Sequence, residues 1–378
     1  MKKSFADILQ EMDVVRAKKM SAKLPEWSET GGIEIATDLA LEQCSSTATA
    51  LYKAGILVSH GEGSAEGLVI ADLTGGLGVD SWAFSTVADK VFYNELNTKL
   101  AGAAVQNFKR LGRTNIHISN TDALRAVSAF GRLDWIYLDP SRRDHSGKKV
   151  FLLEDCEPDI LATKNDLFRY CRRIMVKLSP MADITMLAER FGKCLSEVHI
   201  VGLDGECKEL ICILVKDNSQ PYRITVADLP DRTFTFDPSE KSSSGIVLFK
   251  NKDELIGKSL MVPSAALLKA NCGELLCKEF GWTKLGNFTQ LYACPDGENR
   301  IVEILGFNNS NIKALARRFP HCELTARNIP VTTEELRKKM GVTSGDDAHI
   351  YACNCDFTEA PSERLLIVTK RRKAQEQL

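Results

Sequence analysis

Two acids bracket three glycines in the stretch ADLTGGLGVD (Ala71–Asp80). Asp72 closes an apolar run and Thr74 follows it. Gly75, Gly76 and Gly78 then permit a sharp turn of bare backbone before Asp80. Such a turn can present carboxylates and backbone N–H groups to a nucleotide-like ligand, and a tight strand-to-helix turn without a ligand has the same composition. Glu95 ends the next apolar run, where a carboxylate can accept both hydroxyls of a ribose or sit solvated in a loop. Asp122, in SNTDAL, can accept from an adenine amino group or cap the helix that follows. A fourth acid, Asp139, stands before Pro140 in IYLDPSRRD.

The acids discriminate between cofactors. A dinucleotide brings a pyrophosphate, which carboxylates at the turn repel. S-adenosylmethionine (SAM) brings an amino-acid group and a sulfonium cation, which Asp72 and Asp80 tolerate or attract. Ser81 stands where a third glycine completes the dinucleotide pattern, and no Lys-Ser/Thr pair follows the glycines as in a phosphate loop. The expected cofactor is SAM.

Asp139-Pro140 resembles the Asp/Asn-Pro-Pro-aromatic motif of amino methyltransferases. An exocyclic amine on a base is a poor nucleophile, because its lone pair is delocalised. A carboxylate and a fixed carbonyl can accept its two N–H bonds and aim the lone pair at a methyl group, with Pro140 stiffening the turn. The same dipeptide can merely end a strand. Here Ser141 replaces the second proline and no aromatic follows. Arg142 and Arg143 come next, suited to a phosphate or a base face, or to an exposed turn. Lys177 and Ser179, in VKLSP, fall near this end and are candidates for substrate or cofactor contact. Gln43, with Ser45 and Ser46 in LEQCSSTATALYKA, precedes the sheet, either as a ligand-side segment or as a small-residue packing face. A cysteine nucleophile is not expected, since Cys171 precedes its strand and falls at the opposite end of the sheet.

Elements of alternating type must position these residues. LVIADL, KVFYNEL, NIHIS, LDWIYLDP and RIMVKLSP read as strands separated by helices, which predicts a doubly wound parallel sheet. EVHIVGL and CKELICILVK are separated only by DGE, too short for a helical crossover, and are therefore antiparallel neighbours. The expected fold class is α/β: a seven-stranded Rossmann-like sheet of the class I methyltransferase kind. LALEQCSSTATALYKAGIL reads as one helix before it. After Lys216, PYRITVADL, RTFTFD and GIVLFK read as short β segments, and RIVEILGF through AHIYACN as a β-α-β-α-β module.

The 378 residues are 44% hydrophobic and 26% charged, with net charge −1, so any nucleic-acid contact must come from local patches. The N-terminus MKKSFADILQEMD has acids where a signal peptide needs an apolar core, and no apolar run is long enough for a membrane span. Twelve scattered cysteines lack a C-x-x-C pair, so free thiols in a reducing, cytoplasmic setting are expected, with no metal and no membrane partner.

ADLTGGLGVDSWAFS, YLDPSRRD, LEQCSSTATALYKA and RNIPVTTEELRKKMGVTSGDDAHIYA together resemble the Bacteroidetes class I SAM-dependent methyltransferases that carry a ferredoxin-like segment and a THUMP-like domain. The resemblance implies an N-terminal helical extension over 1–62 and a SAM-dependent domain over 63–218. It implies a β-rich, ferredoxin-like connection over 219–298 and a smaller THUMP-like α+β domain over 299–378. By motif it implies SAM contacts at Asp72, Gly75, Gly76, Gly78, Glu95 and Asp122 and a substrate turn at Asp139 and Pro140. DLTGGLGVD with YLDP is also similar to small-subunit ribosomal RNA guanine-N2 methyltransferases. These likenesses imply methylation of a base nitrogen in tRNA or rRNA. A SAM-fold RNA-binding or assembly factor with little catalysis, or a small-molecule or protein methyltransferase, are the alternatives. Residues 300–378 carry thirteen basic and ten acidic side chains, with Arg317-Arg318, Arg337-Lys338-Lys339 and Lys370–Lys373 as the patches an RNA backbone requires. Ordinary solvated helix faces have the same composition.

Overall fold

Continuous apolar runs make strands that are buried on both faces, and the connecting helices supply the cover. The computed structural model describes residues 5–61, 67–141, 153, 156–243 and 245–371. They fall into two units, Met1–Phe236 and Asp237–Leu378.

The first unit opens with α1 (Phe5–Lys23), α2 (Pro25–Thr30), α3 (Asp38–Gln43) and α4 (Thr47–Ser59). The single helix expected over the last two is broken at Cys44–Ser46. There the Ser46 hydroxyl accepts the Thr49 N–H at 3.2 Å and starts α4 afresh, a cap worth about 1 kcal/mol. Alternation follows: β1 (Val69–Asp72), α5 (Val79–Phe84), β2 (Lys90–Asn94), α6 (Thr98–Arg110), β3 (Ile116–Ser119), α7 (Ala123–Phe130), β4 (Trp135–Leu138), α8 (Ile160–Leu167), β5 (Arg173–Leu178), α9 (Ile184–Phe191), β6 (Leu195–Leu203) and β7 (Glu206–Val215). These strands stand in the order β3-β2-β1-β4-β5-β7-β6. β7 is antiparallel to both β5 and β6, as the short DGE turn requires.

Among the described residues the sheet has nine strands, not seven. β8 (Arg223–Asp228) pairs parallel with β6, and β9 (Arg232–Phe236) pairs antiparallel with β8. The expected boundary at 218/219 therefore falls inside the sheet. The open edge of β6 offers unpaired backbone groups, and the alternating RITVAD segment satisfies them. The N-terminal helices share the sheet's core: Leu24, Trp27, Leu41 and Ala50 are buried with Trp82, Phe84 and Tyr137. Trp27 meets Trp82 edge to face at 6.3 Å.

The second unit contains β10 (Ser259–Met261), α10 (Ala265–Ala270), α11 (Gly273–Phe280), β11 (Thr283–Lys284), β12 (Tyr292–Cys294), β13 (Asn299–Gly306), α12 (Asn309–Arg318), β14 (Glu323–Arg327), α13 (Thr333–Met340), β15 (His349–Cys355) and β16 (Glu363–Arg371). Its seven strands run β11-β12-β10-β13-β16-β15-β14. The segment expected as one connecting region is thus shared between two sheets: 223–236 closes the first and 259–294 opens the second. GIVLFK forms only an isolated bridge from Leu248 to Lys284. The β-α-β-α-β module is present, with β16 inserted between β13 and β15 by antiparallel pairing. Among the described residues no helix is long and apolar enough to cross a membrane.

Candidate active site

The opening glycines answer to three separate demands. A Cβ on Gly75 would overlap the Tyr93 ring, and one on Gly78 would press on Phe108 with the backbone at φ +94°. Packing within the fold fixes both. Gly76 also has a left-handed backbone, at φ +54°, but a Cβ there would meet only the Thr74 carbonyl oxygen, at an ordinary 3.9 Å contact, and its N–H donates to Glu95 Oε2 at 2.8 Å. Of the three, only Gly76 leaves room for a ligand to approach. Gly75→Ala is expected to destabilise the protein by about 1–3 kcal/mol through overpacking. Gly102→Ala, with open space beside it in α6, is expected to stabilise by up to about 1 kcal/mol. Urea midpoints read both.

Glu95, half-buried beyond β2, also accepts the Asn97 N–H at 2.7 Å. It fastens the glycine turn to the end of the second strand, and each oxygen keeps a lone pair for a ribose hydroxyl. Asp122 caps α7, accepting from Leu124 and Arg125 N–H, and is exposed. Asp72 points inward. It is 1% exposed, and its two oxygens accept from Ser81 Oγ at 2.7 Å and Thr74 N at 3.1 Å. Burial raises its pKa to about 8; the Ser81 bond opposes the rise and neighbouring Asp80 adds to it.

Asp80 is also buried. Oδ2 accepts from Ser45 and Tyr137 hydroxyls, each at 2.9 Å. Oδ1 lies 3.1 Å from Lys53 Nζ but accepts no well-directed hydrogen bond. Burial opposes its charge, yet Lys53 and Lys177 outweigh that cost and hold it below the usual carboxylate range. Lys53 is fully buried on α4 and donates to Ser45 Oγ at 2.9 Å and to Glu209 Oε1 at 2.6 Å. The second pair is Lys177 Nζ and Asp139 Oδ2, at 2.5 Å. Burial works against the Lys177 ammonium, but Asp139, Glu209 and Asp80 together hold it protonated well above its ordinary range. Thr74 ties this turn to the first, its hydroxyl accepting the Asp139 N–H at 2.6 Å.

Thus Asp72, Thr74, Asp80, Asp139 and Lys177 meet at the ends of β1, β4 and β5. Pro140 is buried beside them, and Ser141 exchanges both backbone hydrogen bonds with Glu157. Gln43 is exposed at the end of α3, while its neighbour Ser45 reaches Asp80. Arg142 and Arg143 lie outside the described residues. Lys53, Tyr137 and Glu209 were not anticipated. A lysine in the otherwise apolar face of TATALYKAGIL was the one available signal. Cys171 is buried ahead of β5, its thiol pushed up to about 12 by burial, which leaves it inert.

Burial biases Asp72 toward its neutral form, and the other three acids, Asp80, Asp139 and Glu209, outnumber the Lys53 and Lys177 ammoniums at this end of the sheet; Asp80 Oδ1 faces Lys53 Nζ at 3.1 Å without a well-directed bond. That donor set fits a cationic ligand such as SAM and disfavours a pyrophosphate.

The family described as THUMP domain-like matches residues 300–371. The crystal structure of a candidate methyltransferase from Porphyromonas gingivalis W83 is 27% identical, with a TM-score of 0.82 over 96% of this chain and 89% of that one. The chain therefore shares that protein's fold along nearly its whole length. A candidate RNA methyltransferase from Pyrococcus horikoshii is 19% identical over 54% of this chain and 98% of its own, with a TM-score of 0.36. Magnesium protoporphyrin IX methyltransferase from Synechocystis PCC 6803, solved with bound SAM, is 14% identical over 54% of this chain and 96% of its own, with a TM-score of 0.35. No curated protein sequence matches the chain.

Proposed function

We propose that this chain is a SAM-dependent methyltransferase acting on tRNA or rRNA in the cytoplasm. The observation that carries the reading is the convergence of the Gly76 turn, Glu95 and the Asp139–Lys177 pair at one end of a sheet. The whole-chain likeness to a candidate methyltransferase supports it. When bound, SAM supplies a methyl carbon on a positively charged sulfur. Glu95 would hold the ribose and Asp122 the adenine edge. Asp72, Thr74, Gly75, Gly78 and Asp80 shape the turn beneath, and the negative charge of Asp80 favours the cationic end of the ligand. The acceptor stands at Asp139 and Pro140, beside Lys177.

RNA is the proposed substrate on two grounds. Residues 300–371 match a THUMP-like family, and THUMP domains are associated with tRNA. Lys313, Arg317 and Arg318 on α12 and Lys338 and Lys339 on α13 are exposed, as phosphate contacts must be. Arg318 is paired with Glu303 at 2.9 Å, which weakens its share. Taken alone, the likeness of Asp139-Pro140 to the amino methyltransferase motif suggests a base nitrogen as acceptor. The twelve free thiols suit a reducing compartment.

Calorimetry with SAM and with S-adenosylhomocysteine tests the cofactor. Glu95→Ala is expected to weaken binding by about 10- to 100-fold, the loss of charge-assisted bonds to the ligand. Absence of heat with either compound defeats the proposal. Binding without transfer of label to RNA would leave only an RNA-binding or assembly role.

A further inference from the structure

A buried lysine, a partly buried lysine and two acids stand where the sequence motif alone called for one acid. Asp139 follows β4, Lys177 lies on β5 and Glu209 on β7, and these strands are neighbours in the sheet. Register aligns them. Leu138 pairs with Val176, which sets Asp139 beside Lys177. Leu178 pairs with Leu210, so antiparallel β7 delivers Glu209 to the same end. Lys53 enters from α4 and bonds Glu209 at 2.6 Å. An apolar set of this volume would fold as well or better, so four charges held here need a chemical reason.

We propose that the methyl acceptor is a hydroxyl oxygen, the 2′-hydroxyl of a ribose in RNA, received between Lys177 and Asp139, with Lys53 and Glu209 as positioning residues. This rests on the RNA methyltransferase reading and names its acceptor. An ammonium only donates. An exocyclic amine offers it hydrogens and a delocalised lone pair, a mismatch. A hydroxyl offers one proton and two lone pairs, so it can give the proton to Asp139, take a bond from Lys177 and keep a pair for attack. Asp139 Oδ2 already takes the Lys177 bond, so the ammonium stands at the acceptor's place, where a hydroxyl can take its hydrogen bond and an amine cannot. Position 142, where the motif has the aromatic that stacks a base, is an arginine, and Ser141, in place of the second proline, has its N–H and carbonyl engaged by Glu157. Within an RNA chain the 2′-hydroxyl is the free hydroxyl of each nucleotide, since the 3′ and 5′ oxygens are esterified.

The hydroxyl oxygen forms its bond to the methyl carbon as the carbon–sulfur bond breaks. The sulfur keeps that electron pair and loses its positive charge, and the hydroxyl proton passes to Asp139. Lys177 offsets the negative charge developing on oxygen. Exposure separates the roles: the Asp139 side chain is 36% and Lys177 12% exposed, whereas Lys53 is 0% and Glu209 5%. The first pair can touch a substrate. The second can act only through it, by fixing the charges behind Lys177.

The test uses the full chain, SAM labelled on its methyl group and RNA from a strain lacking the gene. A 2′-O-methyl group blocks the oxygen that alkali uses to cleave the chain, so label is expected in alkali-resistant dinucleotides and in 2′-O-methylated nucleosides by mass spectrometry. Label on bases in alkali-released mononucleotides overturns the hydroxyl proposal and leaves the RNA methyltransferase reading intact. No label on any RNA overturns both. Lys177→Met is expected to lower kcat by about 100-fold or more while S-adenosylhomocysteine affinity stays within about threefold. Lys53→Met is expected to lower kcat by about tenfold with the KM for RNA nearly unchanged, a split that a merely structural defect would not give. Undiminished kcat in folded Lys177→Met would also overturn the proposal.

Discussion

Asp139→Ala should lower the kcat of methyl transfer by about a thousandfold, within the range expected when a proton acceptor and an orienting group are lost together. S-adenosylhomocysteine affinity should change little, because the turn at Gly76 and Glu95 does not depend on the Asp139 carboxylate. The substitution also strands the Lys177 ammonium, which loses its 2.5 Å partner. Breaking a fully buried pair costs about 3–5 kcal/mol, and the partial exposure of Asp139 reduces that figure here. Asp139→Asn separates the two effects. It keeps the shape and the backbone bond to Thr74 Oγ1 but cannot take a proton. Its kcat should fall nearly as far with a smaller loss of thermal stability. Full activity in Asp139→Asn would remove the carboxylate from the reaction and leave Lys177 to act alone.

What could be read ahead of the structure followed the range of the interactions involved. The strands β1 to β5 are continuous apolar runs, and a glycine turn after the first marks the ligand end whatever the rest of the chain does. The antiparallel β6–β7 pair follows from a turn of three residues. The destination of β8 did not follow, because its pairing with β6 crosses the whole of β7 and nothing in RITVAD names its partner. β16 is masked in the sequence by its charged flanks, ERLL and TKRR, around the short apolar centre that sits between β13 and β15. Within the site, Asp139 and Lys177 were legible because each ends a strand. Glu209 and Lys53 were not. Each sits in an apolar segment, and only the β5–β7 register and the packing of α4 on the sheet bring them to 2.6 Å. The break at Ser46 was signalled by Cys44-Ser45-Ser46-Thr47, weak helix formers with a good capping serine, but the strong helix formers on both sides, LALEQ and ALYKA, favour one helix; the break is what lets Ser45 turn toward Asp80.

Asp72→Asn should remove most of the pH dependence of stability between about pH 4 and 8. Asp72 is 1% exposed and its pKa is raised from 3.8 to about 8, chiefly by burial. A raised carboxyl pKa means that the folded state binds the proton more tightly than the unfolded chain. The group's contribution to stability is therefore fully present below the unfolded value and is lost as pH rises through the folded one. Each unit in that window removes about 1.4 kcal/mol, so several kcal/mol separate its two ends. Asparagine keeps the acceptor for Thr74 N–H and can donate to Ser81 Oγ, and it carries no charge to bury. Urea midpoints at pH 5 and pH 8 should then differ far less in Asp72→Asn than in the parent, with the variant the more stable at pH 8. Equal pH dependence in the two proteins would mean that Asp72 titrates near its ordinary value. The carboxylate would then be charged beside Asp80 at neutral pH, and the turn would present SAM with one more negative charge than the burial of Asp72 allows.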